Sequence, residues 1–385
     1  MMHTRIISLT GVALIFLFSC KNSENVKIDT TVLNELIKEN DSYSFYVPKR
    51  ENDQKFPLLL LFDPQASSTN AVNKYIDLAE KHGFIIACSK LSRNGVPLEN
   101  AKSDTKSILS EIKTNLPVDS TKIILAGFSG GARTVIELGK RLNEVKGIIA
   151  CGATNPIDEK QGKRYALITG REDFNYLEFL DVAIPMEKEK NIWAMTSDNK
   201  HEWPSEQIME DAFLFVTGAK EKSGKIEISE EEKSIIEQEK YERQLLAQAI
   251  RTSTLNWWKK KTDNLRKTAM EGEKLEAQSA KRLLAYSGLL SYVFTRRALQ
   301  SGNNDFIVHC LNVYEYLEPQ NPDMKFYKAC FFAMKNEKDS ALVSLNKAME
   351  LGFSNMEELE SLPFLEKIRK EKEYKKILKK YELSF

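Results

Sequence analysis

The first part of the chain alternates short apolar runs with helical segments, whereas the last part shows helical periodicity alone. Apolar runs of strand length are bounded by turn residues at 57–62, 83–88, 122–126, 145–150, 164–170 and 191–195. Several are apolar at successive positions, which is typical of central strands in a parallel sheet that helices cover on both faces. The pattern therefore predicts an α/β domain with a mostly parallel sheet over residues 41–220.

Residues 221–385 are poor in glycine, proline and strand-like runs, and they predict an all-α domain. Ser229 followed by Glu232 is a capping box, which marks the beginning of a long charged helix. Farther along, the segments 305–317 and 339–351 align at an offset of 34 residues. This offset is the period of a helix-turn-helix unit in tetratricopeptide proteins.

The repeat predicts tetratricopeptide-like units over about residues 283–352. A helical bundle with an accidental repeat stays the alternative. Repeats of this type generally need about three units to be stable, so we expect the helical domain to dock against the α/β domain. Its expected role is to bind a protein partner or a polymeric substrate, without a catalytic residue of its own.

The amino terminus predicts export and lipidation. Arg5 precedes an apolar run that ends at Phe18, which is too short to span a bilayer. The run closes in a Leu-Phe-Ser-Cys sequence that resembles a bacterial lipobox, in which Cys20 becomes the lipid-modified first residue. Residues 1–20 are thus predicted to be a lipoprotein signal peptide, and 21–40 a polar tether. Ordinary signal-peptide cleavage beside an incidental cysteine is the alternative.

These features predict a protein of the bacterial cell envelope, held by the lipid on Cys20. The outer membrane is the expected site, with the protein facing the periplasm or the cell surface. Lys and Arg number 56 against 55 Asp and Glu, so no nucleic-acid partner is indicated. The five cysteines show no C-x-x-C spacing, and no metal or organic cofactor is implied.

Ser129 lies in a Gly-Phe-Ser-Gly-Gly sequence at residues 127–131. A predicted strand precedes this sequence and a predicted helix follows it, which is the arrangement of a nucleophile elbow. A turn this tight brings backbone segments together, so a Cβ at Gly127 or Gly131 is expected to clash. The context predicts Ser129 as a nucleophile.

Asp173 and His201 follow Ser129 along the chain, each on a loop after a predicted strand. Of the four histidines, His201 is the only one between the Asp173 strand and the helical domain. The order Ser, Asp, His is that of the α/β-hydrolases. His201 is expected to act as general base and Asp173 to fix its tautomer. Glu172 is the nearer competitor for the acid, and Asp181 the weaker one.

Two backbone N–H groups are candidates for the oxyanion hole, the pair of donors that binds the developing negative charge. One is that of Gly130, the residue after the nucleophile. The other is expected in the loop after residues 57–62, where Pro64 has no N–H and Gln65 follows it. The alternative is that Asp63 caps this turn.

Residues 41–217 resemble the compact esterase branch of the α/β-hydrolases, which includes poly(3-hydroxybutyrate) depolymerases, feruloyl esterases and dienelactone hydrolases. The matching pieces include the elbow, the loop 92–95 as an active-site loop, and a His-Glu-Trp-Pro sequence at 201–204 that resembles the histidine loop of depolymerase-type esterases. One departure is Asp63-Pro64, where many relatives carry a His-Gly pair. The resemblance implies an α/β-hydrolase sandwich and a serine hydrolase of carboxylic esters.

The spacing between Ser129 and Asp173 accommodates the predicted helices and strands but no lid, so an open cleft is expected. Two other functions stay open. Serine peptidases of the same fold carry the same three residues, and a non-catalytic lipoprotein could use its helical repeats as a binding scaffold.

Overall fold

The computed structural model describes residues 36–49, 53–157, 162–353 and 355–381. The predicted signal peptide, Cys20 and most of the predicted tether lie outside the described residues. None of the helices formed by the described residues combines the length and the apolar character that crossing a bilayer requires.

Eight strands of the described chain form one sheet in the order β1-β2-β4-β3-β5-β6-β7-β8. They are β1 (Lys38–Glu39), β2 (Tyr43–Tyr46), β3 (Phe56–Phe62), β4 (Ile85–Ser89), β5 (Val118–Phe128), β6 (Val145–Cys151), β7 (Arg164–Gly170) and β8 (Ile192–Ser197). Strand β1 pairs antiparallel with β2, and β2 with β4, while every later pair is parallel. The predicted apolar runs correspond to the six strands from β3 to β8.

Strand β3 shows why these runs are apolar on both faces. Leu58 and Leu60 point into one core, Leu59 and Leu61 into the other, and all four are fully buried. Successive side chains of a strand point to opposite faces, so a sheet covered on both faces needs apolar residues at every position. The covering helices are α1 (Ser68–Asn73), α2 (Ile76–His82), α3 (Leu98–Asn115), α4 (Gly130–Arg141), α5 (Tyr176–Ala183) and α6 (Glu206–Val216).

Helices α3, α4 and α5 contribute to the core on one face of the sheet, and α1, α2 and α6 to the core on the other. The connections between parallel strands therefore pass over both faces, as in a doubly wound sheet. Together with the strand order, this confirms the predicted α/β-hydrolase fold class. The carboxyl ends of β3, β5, β7 and β8 all lie at one edge, where Ser129 and the other candidate residues follow them.

From Glu230 to Lys380 the described residues form helices and no strand. The helices are α7 (Glu230–Thr252), α8 (Leu255–Glu271), α9 (Lys274–Ser301), α10 (Asn304–Leu317), α11 (Pro322–Met334), α12 (Lys338–Glu350), α13 (Met356–Ser361), α14 (Glu366–Arg369) and α15 (Lys372–Lys380). The Ser229 side chain accepts a hydrogen bond from the Glu232 N–H, which is one half of the predicted capping box. The Glu232 side chain instead accepts from Arg171 and Tyr176. Helices α10 and α12 begin 34 residues apart, the offset of the sequence repeat. Membership of the tetratricopeptide family stays a prediction.

The helical part has its own apolar core, which includes Trp258, Ile307, Phe326 and Leu345. It also contacts the α/β part, because Ile236 of α7 belongs to the core on the face covered by α3, α4 and α5. The two parts are therefore joined by packing as well as by the chain, as expected from the small number of repeats.

Replacing Ile236 tests this packing. We expect Ile236→Ala to lower the free energy of unfolding by about 2–5 kcal/mol, since Ile236 is only 8% exposed and its truncation leaves a cavity. Tyr241→Ala on the same helix is the control, because Tyr241 is 60% exposed and such changes stay within about 0.5 kcal/mol. Urea denaturation of both variants measures the difference. Equal effects would show that α7 does not pack on the sheet as described.

Candidate active site

Ser129 occupies a sharp turn between β5 and α4. Its backbone has φ of 54° and ψ of −119°, a region that residues with a side chain rarely adopt. The Ser129 N–H donates to the carbonyl oxygen of Cys151 at 2.8 Å, which ties the turn to the end of β6. The strained backbone therefore holds the hydroxyl at the carboxyl edge of the sheet, in the geometry expected of an elbow.

Two glycines make this turn possible. A Cβ on Gly127 would lie 2.2 Å from the carbonyl oxygen of Gly131, and one on Gly131 would lie 2.0 Å from that of Phe62. Both distances are far inside van der Waals contact, and the opposing atoms belong to the backbone of packed elements. The structure confirms the predicted clash at both positions.

The structure brings Ser129, His201 and Asp173 into one hydrogen-bond chain. The His201 Nε2 lies 3.0 Å from Ser129 Oγ, and its Nδ1 lies 2.8 Å from Asp173 Oδ2. A neutral imidazole with its proton on Nδ1 donates to the carboxylate and leaves the Nε2 lone pair free to accept from the serine hydroxyl. The arrangement can thus transfer the serine proton to His201.

Asp173 is fully buried, and both of its oxygens have partners. Oδ1 accepts from the backbone N–H of Asn175 at 2.8 Å, and Oδ2 faces His201. Asn175 is itself fixed, because its side chain donates to the carbonyl oxygen of Gly152 at 2.7 Å. A buried carboxylate with both oxygens hydrogen-bonded keeps its orientation.

Two aromatic rings pack against the imidazole of His201. The ring centroid of Phe174 lies 4.3 Å from that of His201, and the centroid of Phe128 lies 4.7 Å away. The loop that carries His201 also passes close to the end of β7, where a Cβ on Gly170 would lie 1.9 Å from the carbonyl oxygen of Asn199. The His201 side chain is 20% exposed.

The two other acidic candidates have different surroundings. Glu172 Oε1 lies 2.6 Å from Lys281 Nζ on α9, and Asp181 is exposed on α5. Of the three carboxylates that the sequence left open, Asp173 is the one that contacts His201.

The loop after β3 is built around Asp63. Its Oδ1 accepts from the backbone N–H groups of Gln65 at 2.9 Å and Ser67 at 3.1 Å, while Oδ2 accepts from Trp203 Nε1 at 3.0 Å. Asp63 thus caps the turn, which is the alternative that the sequence left open. It also joins this loop to the histidine loop, residues 198–205 between β8 and α6. The N–H of Gln65, expected in the oxyanion hole, is occupied by this carboxylate in the structure.

Gly130 and Asn94 lie together beside Ser129. Gly130 is the first residue of α4, and the first N–H groups of a helix lack acceptors within it. A Cβ on Gly130 would lie 1.7 Å from Oδ1 and 3.5 Å from Nδ2 of Asn94, while the Asn94 backbone N–H donates to the carbonyl oxygen of Pro64 at 2.9 Å. Sequence reasoning placed Asn94 in an active-site loop without a role. The feature of the sequence that could have identified it is its residue type, because an asparagine shortly after a central strand brings a side-chain amide to the edge where the candidate residues lie.

A scan of the sequence against protein-family models finds no match, and a search of curated proteins finds none either. Solved structures to which the chain is similar include an esterase of Pyrobaculum calidifontis, at 14% identity over 46% of this chain and 80% of that chain, with a TM-score of 0.37. Another is Est1E of Butyrivibrio proteoclasticus, at 14% identity over 46% of this chain and 94% of that chain, with a TM-score of 0.36. An arylesterase matches at 11% identity over 49% of this chain and 88% of that chain, with a TM-score of 0.36.

Proposed function

We propose that this protein is a serine hydrolase that cleaves carboxylic esters through an acyl-enzyme on Ser129. His201 is the general base and Asp173 the residue that orients it. The observation that carries the proposal is the continuous hydrogen-bond chain from Ser129 Oγ through His201 to Asp173, at 3.0 Å and 2.8 Å. A nucleophile, a base and a group that orients the base in this geometry are what acyl transfer needs.

The reaction proceeds in two halves. His201 Nε2 takes the proton of Ser129 as the hydroxyl oxygen attacks the ester carbonyl, and Asp173 stabilises the imidazolium that forms. His201 then gives this proton to the departing alcohol, which leaves an ester on Ser129. A water molecule, deprotonated by His201 in the same way, releases the acid and restores the serine.

The Gly130 N–H supplies one donor to the oxyanion, since it follows the nucleophile at the helix start. We propose the side-chain amide of Asn94 as the second donor in place of the Gln65 N–H. Two observations support this choice: the Asn94 side chain lies against Gly130, and the Gln65 N–H already donates to Asp63. Oδ1 is the Asn94 atom nearer to Gly130 in the structure, so the amide group turns to present Nδ2 when it donates to the oxyanion. Amide donors from asparagine serve the same purpose in other acyl-transfer sites.

Ester hydrolysis is favoured over peptide hydrolysis by the resemblance of residues 41–217 to compact esterases. Amide cleavage by the same three residues is the second candidate, and a p-nitroanilide analogue of each ester substrate distinguishes the two. A scaffold without catalysis is disfavoured by the intact hydrogen-bond chain.

We further propose a lipid anchor at Cys20 in the bacterial cell envelope, and a partner or polymeric substrate for the helical repeats.

Ser129 is expected to be the residue that reacts. Ser129→Ala should abolish labelling by a fluorophosphonate probe and hydrolysis of p-nitrophenyl acetate, because no nucleophile remains beside His201. Ser205→Ala is the matched control, since Ser205 is exposed at the start of α6. Circular dichroism checks that both variants are folded. Labelling that persists in folded S129A would refute the assignment.

Asp173 and Glu172 can be separated by isosteric amides. We expect Asp173→Asn to lower kcat by about 10⁴-fold, because the imidazole loses the acceptor that fixes its tautomer. Glu172→Gln should leave kcat within about tenfold, since its ion pair with Lys281 is partly exposed and contributes little. Steady-state kinetics on p-nitrophenyl acetate provide the measurement. A larger loss in E172Q would mean that the wrong carboxylate has been chosen.

Asn94 can be tested by removing its amide. Asn94→Ala is expected to lower kcat by about 10²–10³-fold with little change in KM, as the loss of one oxyanion donor does. Asn70→Ala is the control, because Asn70 is an exposed asparagine on α1. An unchanged kcat in N94A would mean that the second oxyanion donor is a group of the loop after β3 instead of Asn94.

A further inference from the structure

The acid loop, residues 171–174 between β7 and α5, is held from outside the α/β fold. Arg282 of α9 donates from Nη1 to the carbonyl oxygen of Arg171 at 2.5 Å. Arg243 of α7 donates from Nη1 to the carbonyl oxygen of Phe174 at 2.7 Å. These two carbonyl groups flank Asp173 along the chain, so charged donors from the helical part fix the backbone on both sides of the carboxylate.

One buried carboxylate orients both arginines. The side chain of Glu239 on α7 is fully buried, and its Oε1 accepts from Arg243 Nε at 3.1 Å and Nη2 at 2.7 Å. Its Oε2 accepts from Arg282 Nε at 2.8 Å and Nη2 at 2.5 Å, and from Ser279 Oγ at 2.9 Å. Each guanidinium therefore uses part of its fork on Glu239 and the remaining Nη1 on the acid loop, a division that only a planar multi-donor group allows.

Helix α9 contacts the histidine loop as well. Lys274 Nζ lies 3.0 Å from Asp198 Oδ2, and Gln278 Nε2 donates to Asp198 Oδ1 at 3.1 Å. Asp198 directly follows β8 and precedes His201 by three residues. The same helix thus reaches both loops whose relative position sets the distance between Asp173 and His201.

Phe174 connects the restrained acid loop directly to the proposed base, His201. Its carbonyl oxygen accepts from Arg243, while its ring packs on His201 with the centroids 4.3 Å apart. A displacement of the acid loop would move the carboxylate partner of His201 and one wall of its ring together.

We infer that Arg282 and Arg243, held by Glu239, are positioning residues that keep Asp173 and Phe174 aligned with His201; this rests on the proposed function. The helical part is thereby a section of the catalytic unit, in addition to any partner it binds. Burying several charges costs about as much free energy as their pairing returns, so a gain in stability alone does not account for this network. Displacing a reacting group by about 1 Å can lower a rate about 10²-fold.

The test uses the full chain and the variant Arg282→Met, which keeps the length of the side chain and removes its donors. We expect kcat on p-nitrophenyl acetate, and the rate of fluorophosphonate labelling, to fall about 10- to 100-fold, with KM changed by less than about threefold because the groups that bind substrate are untouched. Arg266→Met is the matched control, since Arg266 also donates to backbone carbonyls, those of Tyr316 and Leu317, within the helical part. R266M should leave kcat within about twofold.

Coupling to Asp173 separates positioning from general destabilisation. In an Asp173→Asn background, the further loss caused by R282M should nearly disappear, because the carboxylate that Arg282 aligns no longer acts. An equal loss in both backgrounds, or an unchanged kcat in folded R282M, would overturn the inference. Should R282M fail to fold, Arg282→Lys keeps the positive charge beside Glu239 without the fork. A folded R282K with unchanged kcat would overturn it equally.

Failure of the inference is distinguishable from failure of the proposed function. If the wild-type protein is not labelled at Ser129, the proposed function is wrong and Arg282 has no catalytic alignment to maintain. If the wild type is labelled and R282M is labelled at the same rate, the function stands and the positioning role is wrong.

Discussion

The hydrogen bond between His201 and Asp173 depends on two loops from neighbouring strands keeping one relative position. Strands β7 and β8 are paired in parallel up to Gly170 and Ser197, so the loops leave the sheet side by side. The missing side chain of Gly170 lets the histidine loop pass against the end of β7. The 2.8 Å contact between the imidazole and the carboxylate is therefore a consequence of strand register and of close backbone packing.

The serine depends on a second backbone approach. Gly127 and Gly131 allow the turn at Ser129 to pack against β3, and the positive φ of Ser129 is the strain that this turn imposes. Asp63 joins the loop after β3 to the histidine loop through Trp203. Polar groups at the sheet edge thus restrain one another, and the helical part adds its restraint through Glu239 and its two arginines.

Local patterns predicted much of this arrangement. The six apolar runs from β3 to β8, the strand-turn-helix context of Ser129 and the helix N-cap at Ser229 are properties of short segments, which periodicity and residue type report directly. Placing Asp173 and His201 needed only their order along the chain and the rule that parallel strands present their carboxyl ends at one edge. Such patterns could not show which of the three candidate carboxylates contacts His201. Glu172 and Asp173 are neighbours on one loop, and they differ only in the direction in which their side chains point.

The contacts that escaped prediction join residues far apart in sequence. Arg282 reaches a carbonyl group 111 positions away, and Trp203 reaches Asp63 across 140 positions. Nothing in the sequence around Arg282 or Asp63 indicates such a distant partner. A helix rich in charged residues is predicted to be exposed to solvent until its packing is known. The hydrogen bond from the Gln65 N–H to Asp63 is local, and the sequence left it open as an alternative, because a turn that contains proline does not show which way the preceding carboxylate points.

Trapping the covalent intermediate tests the central claim most directly. The wild-type protein is mixed with excess p-nitrophenyl acetate, quenched in acid during turnover, digested and analysed by tandem mass spectrometry. We expect one acetyl group, carried by Ser129 in the peptide that contains the elbow. Turnover with the acetyl group on another residue, or with no acylated peptide under conditions where deacylation limits the rate, would contradict the assignment of Ser129 as the nucleophile.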